Sequence, residues 1–442
     1  MRKKLSSHLS PLTSYLSPSL NREGRGGSLS SHLLPLTSYL SPSLNREGWG
    51  GSSWASLLLL LFPFLFSCTN HKADDPLAAT GRTQRTENLL QNLRQLADSS
   101  FLFGHQDAPM YGIGWVGDAE RCDVHSVCND FPAVIGFDLG HLELGDTVNL
   151  DGVPFSKMRQ QIIRQFDRGG VVTLSWHLDN PLTGGSAWVK PDSLTQQEKQ
   201  TVASVLDGGP QHEKFLTWLD RVADFINSLE TPYGVRVPVI FRPWHEHTGS
   251  WFWWGQQLCT REQYVALWQL TESRLREKGV TNVLYAYSPG SESDGDAARY
   301  MERYPGDDYI DVLGTDIYCP SKWDGQQPTF QSDELTRYVE RTRRQLTMIC
   351  RVAREHQKVA AFTETGFQGL PKEDWWTQTL AQAVKDLPIA YVLVWRNAHD
   401  KPGHFFAPYP GQISAEDFVR FYNLPQTRFR RDVNGLYLKP TE

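Results

Sequence analysis

The feature that most constrains the fold of this chain is a series of eight short apolar segments separated by longer stretches. The segments lie at 101–104, 133–137, 171–175, 237–241, 282–286, 310–314, 359–363 and 391–395. Their apolar residues are nearly continuous rather than alternating, which is typical of parallel strands covered on both faces. Helical periodicity covers 86–100, 156–168, 213–229, 261–278, 333–356 and 373–385. The pattern predicts a single (β/α)8 TIM barrel of the α/β class, with functional residues at the carboxyl ends of its strands.

An open, doubly wound sheet is the alternative fold for alternating strands and helices. Such sheets usually carry a glycine-rich phosphate-binding turn after the first strand. No such turn lies directly after residues 101–104, where the chain continues His105-Gln106-Asp107, so we favour the barrel. The long polar stretch 179–211 is predicted to be an extended loop beside the site.

Residues 1–53 form a repetitive, low-complexity leader. Two consecutive copies, 5–28 and 29–52, differ only where Ser10 and Arg25 are replaced by Leu34 and Trp49. Serine- and proline-rich copies without apolar periodicity cannot stack into a core. The leader is either a surface spacer or the product of a start codon assigned too far upstream, and we favour the second interpretation.

Residues 54–68 are predicted to be the apolar region of a signal peptide, because they are too short to span a membrane. The stretch ends in Leu-Phe-Ser-Cys, which resembles a bacterial lipobox with Cys68 as the lipidated residue. A buried helix is the alternative, but an internal proline and polar flanks argue against it. We expect 69–85 to be a tether and 86–442 to be the catalytic barrel. The protein would then be an exported, lipid-anchored lipoprotein at the periplasmic face or the outer-membrane surface.

The charge and the cysteines narrow the classes of partner. Residues 1–68 carry six basic and two acidic side chains, so without them the net charge moves from −6 to about −10. An acidic chain without a basic block is not expected to bind nucleic acid. Five cysteines remain beyond Cys68, far fewer than in a disulfide scaffold. Cys122 and Cys128 could form a disulfide or remain free, and we expect a monomer.

Polar and aromatic residues follow almost every predicted strand. Glu246 ends the fourth strand and Glu364 ends the seventh, on opposite sides of a barrel mouth. Two carboxyl groups about 5–5.5 Å apart would suit retaining hydrolysis of a glycosidic bond, one as acid/base and the other as nucleophile. The tryptophan-rich segment 241–255 surrounds Glu246 with indoles, which stack on the apolar faces of sugars and disfavour a charged carboxylate. The alternative is that the two glutamates are unrelated structural carboxylates.

Two other chemistries receive weaker support. His245-Glu246-His247 suggests zinc, but consecutive side chains of a strand alternate faces, and the His-Glu-x-x-His spacing is absent. A metal site built from His105, His177 and His245 remains a minor alternative. The segment beginning Gly290-Ser291-Glu292 lacks the second glycine of a Gly-x-Ser-x-Gly nucleophile motif.

With these residues in view, the chain resembles glycoside hydrolase family 26, best known for β-mannanases. The resemblance extends from about 86 to 437, and its most specific parts are Arg-Pro-Trp-His-Glu-His-Thr-Gly-Ser-Trp-Phe-Trp-Trp-Gly at 242–255 and Phe-Thr-Glu-Thr-Gly at 362–366. It implies a retaining barrel that cleaves β-1,4-mannosidic linkages in mannan, glucomannan or galactomannan. Glu246 would be the acid/base and Glu364 the nucleophile, with no cofactor and no metal. His247 and Ser250 depart from the usual family residues.

The resemblance also implies a set of substrate-binding residues around the cleaved sugar: His177, Trp188, His245, Trp251, Asp316, Tyr318, Trp395 and Arg396. Tyr318 would hydrogen-bond the nucleophile, and Trp188, Trp251 and Trp395 would stack on sugar rings. Trp253 and Trp254 are expected to be packing residues instead. Two alternatives stay open: a β-1,3-xylanase or mixed-linkage β-glucanase on the same barrel, or a non-catalytic surface glycan-binding lipoprotein.

Overall fold

A computed structural model of the protein describes residues 75–118, 120–324 and 327–440. The predicted leader, the signal-peptide segment and Cys68 lie outside the described residues. Residues 75–85, within the predicted tether, are folded against the barrel. The Arg82 guanidinium lies 2.8 Å from the Asp311 carboxylate, and the amide of Thr83 donates to the carbonyl of Thr281 at 2.9 Å. The folded unit therefore begins before residue 86.

Eight parallel strands form the centre of the molecule. They are β1 Phe101–Gln106, β2 Val134–Asp138, β3 Val171–Ser175, β4 Val239–Arg242, β5 Val283–Tyr287, β6 in two segments Val312–Leu313 and Asp316–Cys319, β7 in two segments Val359–Ala360 and Phe362–Phe367, and β8 Tyr391–Val394. Each overlaps one of the eight apolar segments of the sequence, and the second segment of β6 lies just beyond 310–314. Their burial on both faces explains why the apolar residues are continuous.

The strands close into a barrel. Each strand pairs in parallel with its neighbours in chain order, and β1 pairs with β8 as well as with β2. The two segments of β6 pair with the corresponding segments of β7, which completes the circle. The predicted (β/α)8 barrel is confirmed, and the open-sheet alternative is wrong because an open sheet would leave two unpaired edges.

Helices lie at each of the six predicted stretches. They are α1 Gln84–Ala97, α2 Asp123–Cys128, α3 Phe155–Asp167, α4 Thr201–Val205, α5 His212–Asn227, α6 Arg261–Glu277, α7 Ala297–Tyr300, α8 Ser332–Glu355, α9 Ala381–Val384 and α10 Ala415–Tyr422. The shorter helices α2, α4, α7 and α10 were not predicted. A π-helical turn, Trp376–Leu380, precedes α9. It replaces part of the regular helix predicted at 373–385.

The floor of the barrel is apolar. One buried cluster contains Leu89 and Leu93 of α1 together with a residue from every barrel strand: Leu102, Val134, Val171, Ile240, Leu284, Val312, Val359 and Leu393. Helix α1 therefore closes the amino-terminal end of the barrel, and the polar strand ends are left at the opposite rim. There the predicted loop 179–211 contains α4 and two short 3-10 turns, Pro191–Ser193 and Glu198–Gln200.

The structure also bears on the cysteines and on membrane-spanning helices. Cys122 and Cys128 are free thiols, and so are Cys259, Cys319 and Cys350. Among the described residues, no helix combines the length and the apolar character needed to cross a membrane.

Candidate active site

Three carboxyl groups meet at the carboxyl-terminal rim of the barrel. Glu246 follows β4, Asp316 begins the second segment of β6, and Glu364 lies on β7 directly opposite Asp316 in the strand pairing. One oxygen of each lies within 4.8 Å of the others. The two glutamates predicted from the strand ends are thus close enough to act on a single bond, as the about 5–5.5 Å separation of retaining hydrolysis requires.

The backbone turns sharply between β4 and Glu246. Trp244 and Glu246 both have left-handed φ angles, 55° and 53°, which are uncommon for residues with a Cβ. The amide of Glu246 donates to the carbonyl of Ser288, after β5, at 2.9 Å. Because the strand ends at Arg242, the alternation of faces that governs a strand no longer applies. The turn directs Glu246 toward Asp316 and Glu364.

Arg242 lies between the other two carboxylates. Its guanidinium donates to Asp316 Oδ2 at 2.6 Å and also to Glu364 Oε2. The Tyr318 hydroxyl donates to Glu364 Oε1 at 2.5 Å, so both oxygens of Glu364 accept hydrogen bonds. Hydrogen bonds to the charged form and a fixed cation favour an ionised carboxylate. Glu364 is therefore held in a defined orientation beside a positive charge.

Glu246 has the opposite environment. Burial raises its pKa well above the usual range, and the charges of Glu364 and Asp316 raise it further. The indole of Trp251 donates to Glu246 Oε2 at 2.7 Å, which opposes the rise without reversing it. Part of the Glu246 surface stays accessible. The site thus places a proton-holding carboxyl next to one that is paired with a guanidinium.

A second polar chain lies beside Glu246. Asp138 Oδ2 lies 2.6 Å from His177 Nδ1, and His177 Nε2 lies 3.1 Å from His245 Nε2. Burial opposes ionisation of Asp138, but the charge of His177 and the hydrogen bonds from His177 and Ser175 outweigh it and lower the pKa of Asp138 to about 2. Burial lowers the pKa of His245 well below its usual value, so this imidazole is neutral.

Aromatic side chains cover the histidines. The Trp188 ring stacks on His177 with centroids 5.1 Å apart and planes 7° apart, and Trp395 meets His177 edge-on at 6.2 Å. Trp188 is 39% exposed and therefore has a free face. Trp253 and Trp254 are fully buried, as expected for packing residues. The Trp254 indole donates to the carbonyl of His245 at 2.8 Å, so it supports the site from behind.

Arg396 belongs to a separate buried network. Its guanidinium lies 2.8 Å from Asp151 and donates to the Tyr111 hydroxyl at 3.2 Å. Tyr111 in turn donates to Asp107 at 2.5 Å. Arg396 is therefore held by residues away from the two glutamates. The other predicted site residues contact one another or the glutamates: His177, His245, Trp251, Asp316 and Tyr318.

Arg242 is the main residue that the sequence analysis did not select. The available signal was a charged residue closing the otherwise apolar run of β4, where burial demands a partner. Asp138 was visible as a polar residue after the second strand, but its contact with His177 depends on the pairing of β2 with β3.

A metal ion is not needed to explain the carboxylate cluster. In the part of the chain that the structure describes, Glu246, Asp316 and Glu364 are the three-residue group close enough to share an ion. Arg242 already supplies a positive charge to two of them. The histidines proposed as an alternative metal site do not form such a group among the described residues.

Comparison with known proteins identifies the family of this barrel. The model of glycosyl hydrolase family 26 matches residues 79–362, which includes all of β1 to β6 and Glu246. The chain belongs to this family. Among solved structures, a GH26 β-mannanase from Bacteroides ovatus is 51% identical with a TM-score of 0.75, over 80% of this chain and 98% of that one.

Two other relatives extend the comparison. A modular endo-β-1,4-mannanase from Cellulomonas fimi is 32% identical with a TM-score of 0.71, over 82% of this chain and 79% of that one. A mannan endo-1,4-β-mannosidase from Bifidobacterium adolescentis is 30% identical over 77% of this chain. The matched region spans only 34% of the length of the latter.

Proposed function

We propose that this protein hydrolyses β-1,4-mannosidic linkages in mannan, glucomannan or galactomannan by a retaining, double-displacement mechanism. The observation that carries the proposal is the meeting of a proton-holding Glu246 with Glu364, which is paired with Arg242, within 4.8 Å at the mouth of a family 26 barrel. The mannanase names of its relatives support the choice of substrate.

In the first step Glu364 is the nucleophile. Its carboxylate attacks the anomeric carbon, the bond from that carbon to the leaving sugar's oxygen breaks, and Glu246 gives its proton to that oxygen. Arg242 and Tyr318 keep the attacking carboxylate in place. The product of the step is a glycosyl ester on Glu364 and an ionised Glu246.

In the second step Glu246 is the base. Once Glu364 is an ester, one of the charges that raised the pKa of Glu246 is gone, so ionised Glu246 is better tolerated than before. It takes a proton from water, the water oxygen attacks the anomeric carbon, and the ester bond breaks to release Glu364 as a carboxylate. Glu246 is again protonated and the cycle needs no cofactor.

The remaining site residues are proposed to bind the sugar. Trp188, Trp251 and Trp395 would offer apolar faces to its rings, and His177, His245, Asp316, Tyr318 and Arg396 would contact hydroxyls or tune the carboxylates. The exposed face of Trp188 supports a stacking role. For Arg396 the Asp151 ion pair supports an oriented, buried guanidinium rather than a mobile one.

We also propose that the protein is an exported lipoprotein acylated at Cys68 and anchored in a membrane facing the periplasm or the cell exterior. The support is the apolar stretch 54–68 and its lipobox-like end. Such an anchor would hold the barrel beside a polymer that cannot enter the cell.

The function is tested on purified protein with a polysaccharide panel. We expect reducing sugar from mannan, glucomannan or galactomannan, and the β anomer as the first product in a proton NMR time course. Glu364→Ala should lower kcat about 10⁴-fold or more while mannan binding and the circular dichroism spectrum persist.

Other outcomes of the panel contradict the proposal. Preferential release from β-1,3-xylan or mixed-linkage β-glucan would assign a different specificity to the barrel. Binding without any hydrolysis would make the protein a glycan-binding module. Initial formation of the α anomer would exclude the retaining mechanism.

A further inference from the structure

The acid/base is carried on a turn that contains little regular structure. Between Glu246 and Trp251, whose indole holds the Glu246 carboxyl, lies a single 3-10 turn, His247–Gly249. Glu246 and Ser250, on either side of that turn, have left-handed φ angles of 53° and 60°. Residues with a Cβ remain in this region only where surrounding contacts impose it. The turn therefore needs support from outside.

Part of that support comes from the loop after β5. The Thr248 hydroxyl, at the middle of the turn, accepts a hydrogen bond from the amide of Gly290 at 2.9 Å and donates one to the carboxylate of Glu292. A hydrogen bond to an ionised acceptor is stronger than a neutral one. The Thr248–Glu292 pair thus ties the turn to the loop after β5.

Gly290 provides the space for this pair. A Cβ added at Gly290 would lie 2.4 Å from Glu292 Oε2 and 3.0 Å from Thr248 Oγ1. A side chain at Gly290 would displace the Glu292 carboxylate, which packs directly over the glycine backbone. The Gly290-Ser291-Glu292 segment, which resembles part of a serine-nucleophile motif in sequence, instead contacts Thr248.

The loop after β5 is itself firmly held. Buried Gln345 of α8 accepts from the amide of Gly295 at 2.9 Å and shares hydrogen bonds with the Ser293 hydroxyl. The Thr315 hydroxyl donates to the carbonyl of Pro289 at 3.1 Å. Contacts to α8 and to the β6 region fix the loop on both sides of Glu292. It can act as a rigid base for the turn.

We propose that Glu292 is a positioning residue for proton transfer by Glu246, acting through the hydroxyl of Thr248. The proposal rests on the acid/base role of Glu246 in the proposed function. Loss of the Thr248–Glu292 pair would release the turn, separate the Trp251 indole from the Glu246 carboxyl, and misplace the proton relative to the glycosidic oxygen. A small misplacement of a catalytic group is sufficient to cost a large rate factor.

The test compares substrates that differ in their need for an acid. Mannopentaose requires protonation of its leaving oxygen, whereas 2,4-dinitrophenyl β-mannobioside does not, because dinitrophenolate leaves unprotonated. Thr248→Val and Glu292→Ala should each lower kcat/KM on mannopentaose about tenfold and change it less than about twofold on the aryl substrate. The double variant should match either single variant, because both remove the same pair.

Two controls separate positioning from general damage. Thr248→Ser keeps the hydroxyl and should retain wild-type kcat/KM on both substrates. Asp294→Asn removes a carboxylate from the same loop, one that pairs with Arg344 at the surface, and should also behave as wild type. Equal losses on both substrates, or no loss on mannopentaose, would overturn the proposal.

A crystal structure of Thr248→Val decides the question independently of activity. The expected result is loss of the contact between Trp251 Nε1 and Glu246 Oε2, which is 2.7 Å in the present structure. Persistence of that contact would overturn the positioning role. If the wild type hydrolyses neither substrate, the proposed function fails, and the crystallographic result still decides whether Glu292 supports the turn.

Discussion

Glu246 is subject to opposing influences from its neighbours. Burial and the charges of Glu364 and Asp316 raise its pKa, whereas the Trp251 hydrogen bond and the Arg242 charge lower it. The site holds three carboxyl groups but only one buried guanidinium to balance their charges. Ionising all three carboxyl groups at once is therefore unfavourable. The balance keeps Glu246 protonated at a pH where an ordinary carboxyl is ionised.

Trp251→Phe tests this balance at the level of one hydrogen bond. The acid must be protonated, so kcat/KM falls as the pH rises through the pKa of Glu246. Phenylalanine cannot make the hydrogen bond by which Trp251 lowers the pKa of Glu246. The fall of kcat/KM on the basic side of the profile should therefore move to higher pH, while kcat/KM at the optimum decreases. The measurement is the pH profile of kcat/KM on mannopentaose. Glu246→Gln, assayed on the aryl mannobioside, is the control and should show no basic limb.

The pairing of β2 with β3 creates the support for His177. In the parallel register Asp138 lies opposite Ser175, and the Ser175 hydroxyl donates to Asp138 Oδ2 at 2.6 Å. The chain then leaves β3 and places His177 against the same carboxylate. The ends of β2 and β3, together with the turn after β3, thereby hold the His177 imidazole, which contacts His245 and Trp188.

Asp138→Asn should weaken the fold in a pH-dependent way. The pKa of Asp138 is lowered from 3.8 to about 2 in the folded state. The stabilisation is therefore fully present above about pH 4 and is lost as the pH falls toward 2, and the shift corresponds to about 2 kcal/mol. Urea unfolding should show that difference between wild type and variant at pH 6, and a smaller one at pH 3.

A matched control uses a carboxylate without such partners. Asp400 is exposed on the loop after β8, and Asp400→Asn should leave the unfolding free energy unchanged at both pH values. A difference between wild type and Asp138→Asn that does not vary with pH would contradict the assigned role of the ionised Asp138–His177 pair.

At the scale of the whole molecule, the barrel separates stability from chemistry. Helix α1 and the apolar strand residues fill the amino-terminal end, and the titratable groups of the site gather at the other end. The described residues before α1 attach to the barrel through Arg82 and Thr83.

The variant Cys68→Ser tests the proposed attachment of the barrel to a membrane. In a bacterial host the full chain should incorporate labelled palmitate and fractionate with membranes, whereas Cys68→Ser should incorporate none. A protein that begins at residue 69 should have the same kcat/KM as the full chain, because all the proposed site residues follow residue 69. Labelling of Cys68→Ser at the wild-type level would contradict acylation at this residue.

Much of the fold could be predicted because its signals are local. The continuous apolar runs of β1 to β8 follow from burial on both faces, and helices such as α6, observed at Arg261–Glu277 and predicted at 261–278, follow from periodicity. Glu246 and Glu364 could be selected because the carboxyl ends of parallel strands meet at one rim. The family resemblance has been confirmed, whereas the individual roles of the site residues stay predictions.

The chain's order of apolar and polar residues by itself determined the barrel and the strand ends at which its chemistry lies. Only the tertiary structure decided how those ends interact: Arg242 between Asp316 and Glu364, His177 between Asp138 and His245, and Thr248 bound to Glu292. These contacts join residues far apart in the chain. They depend on strand register and on left-handed turns, which barrel closure imposes and local sequence preference does not encode.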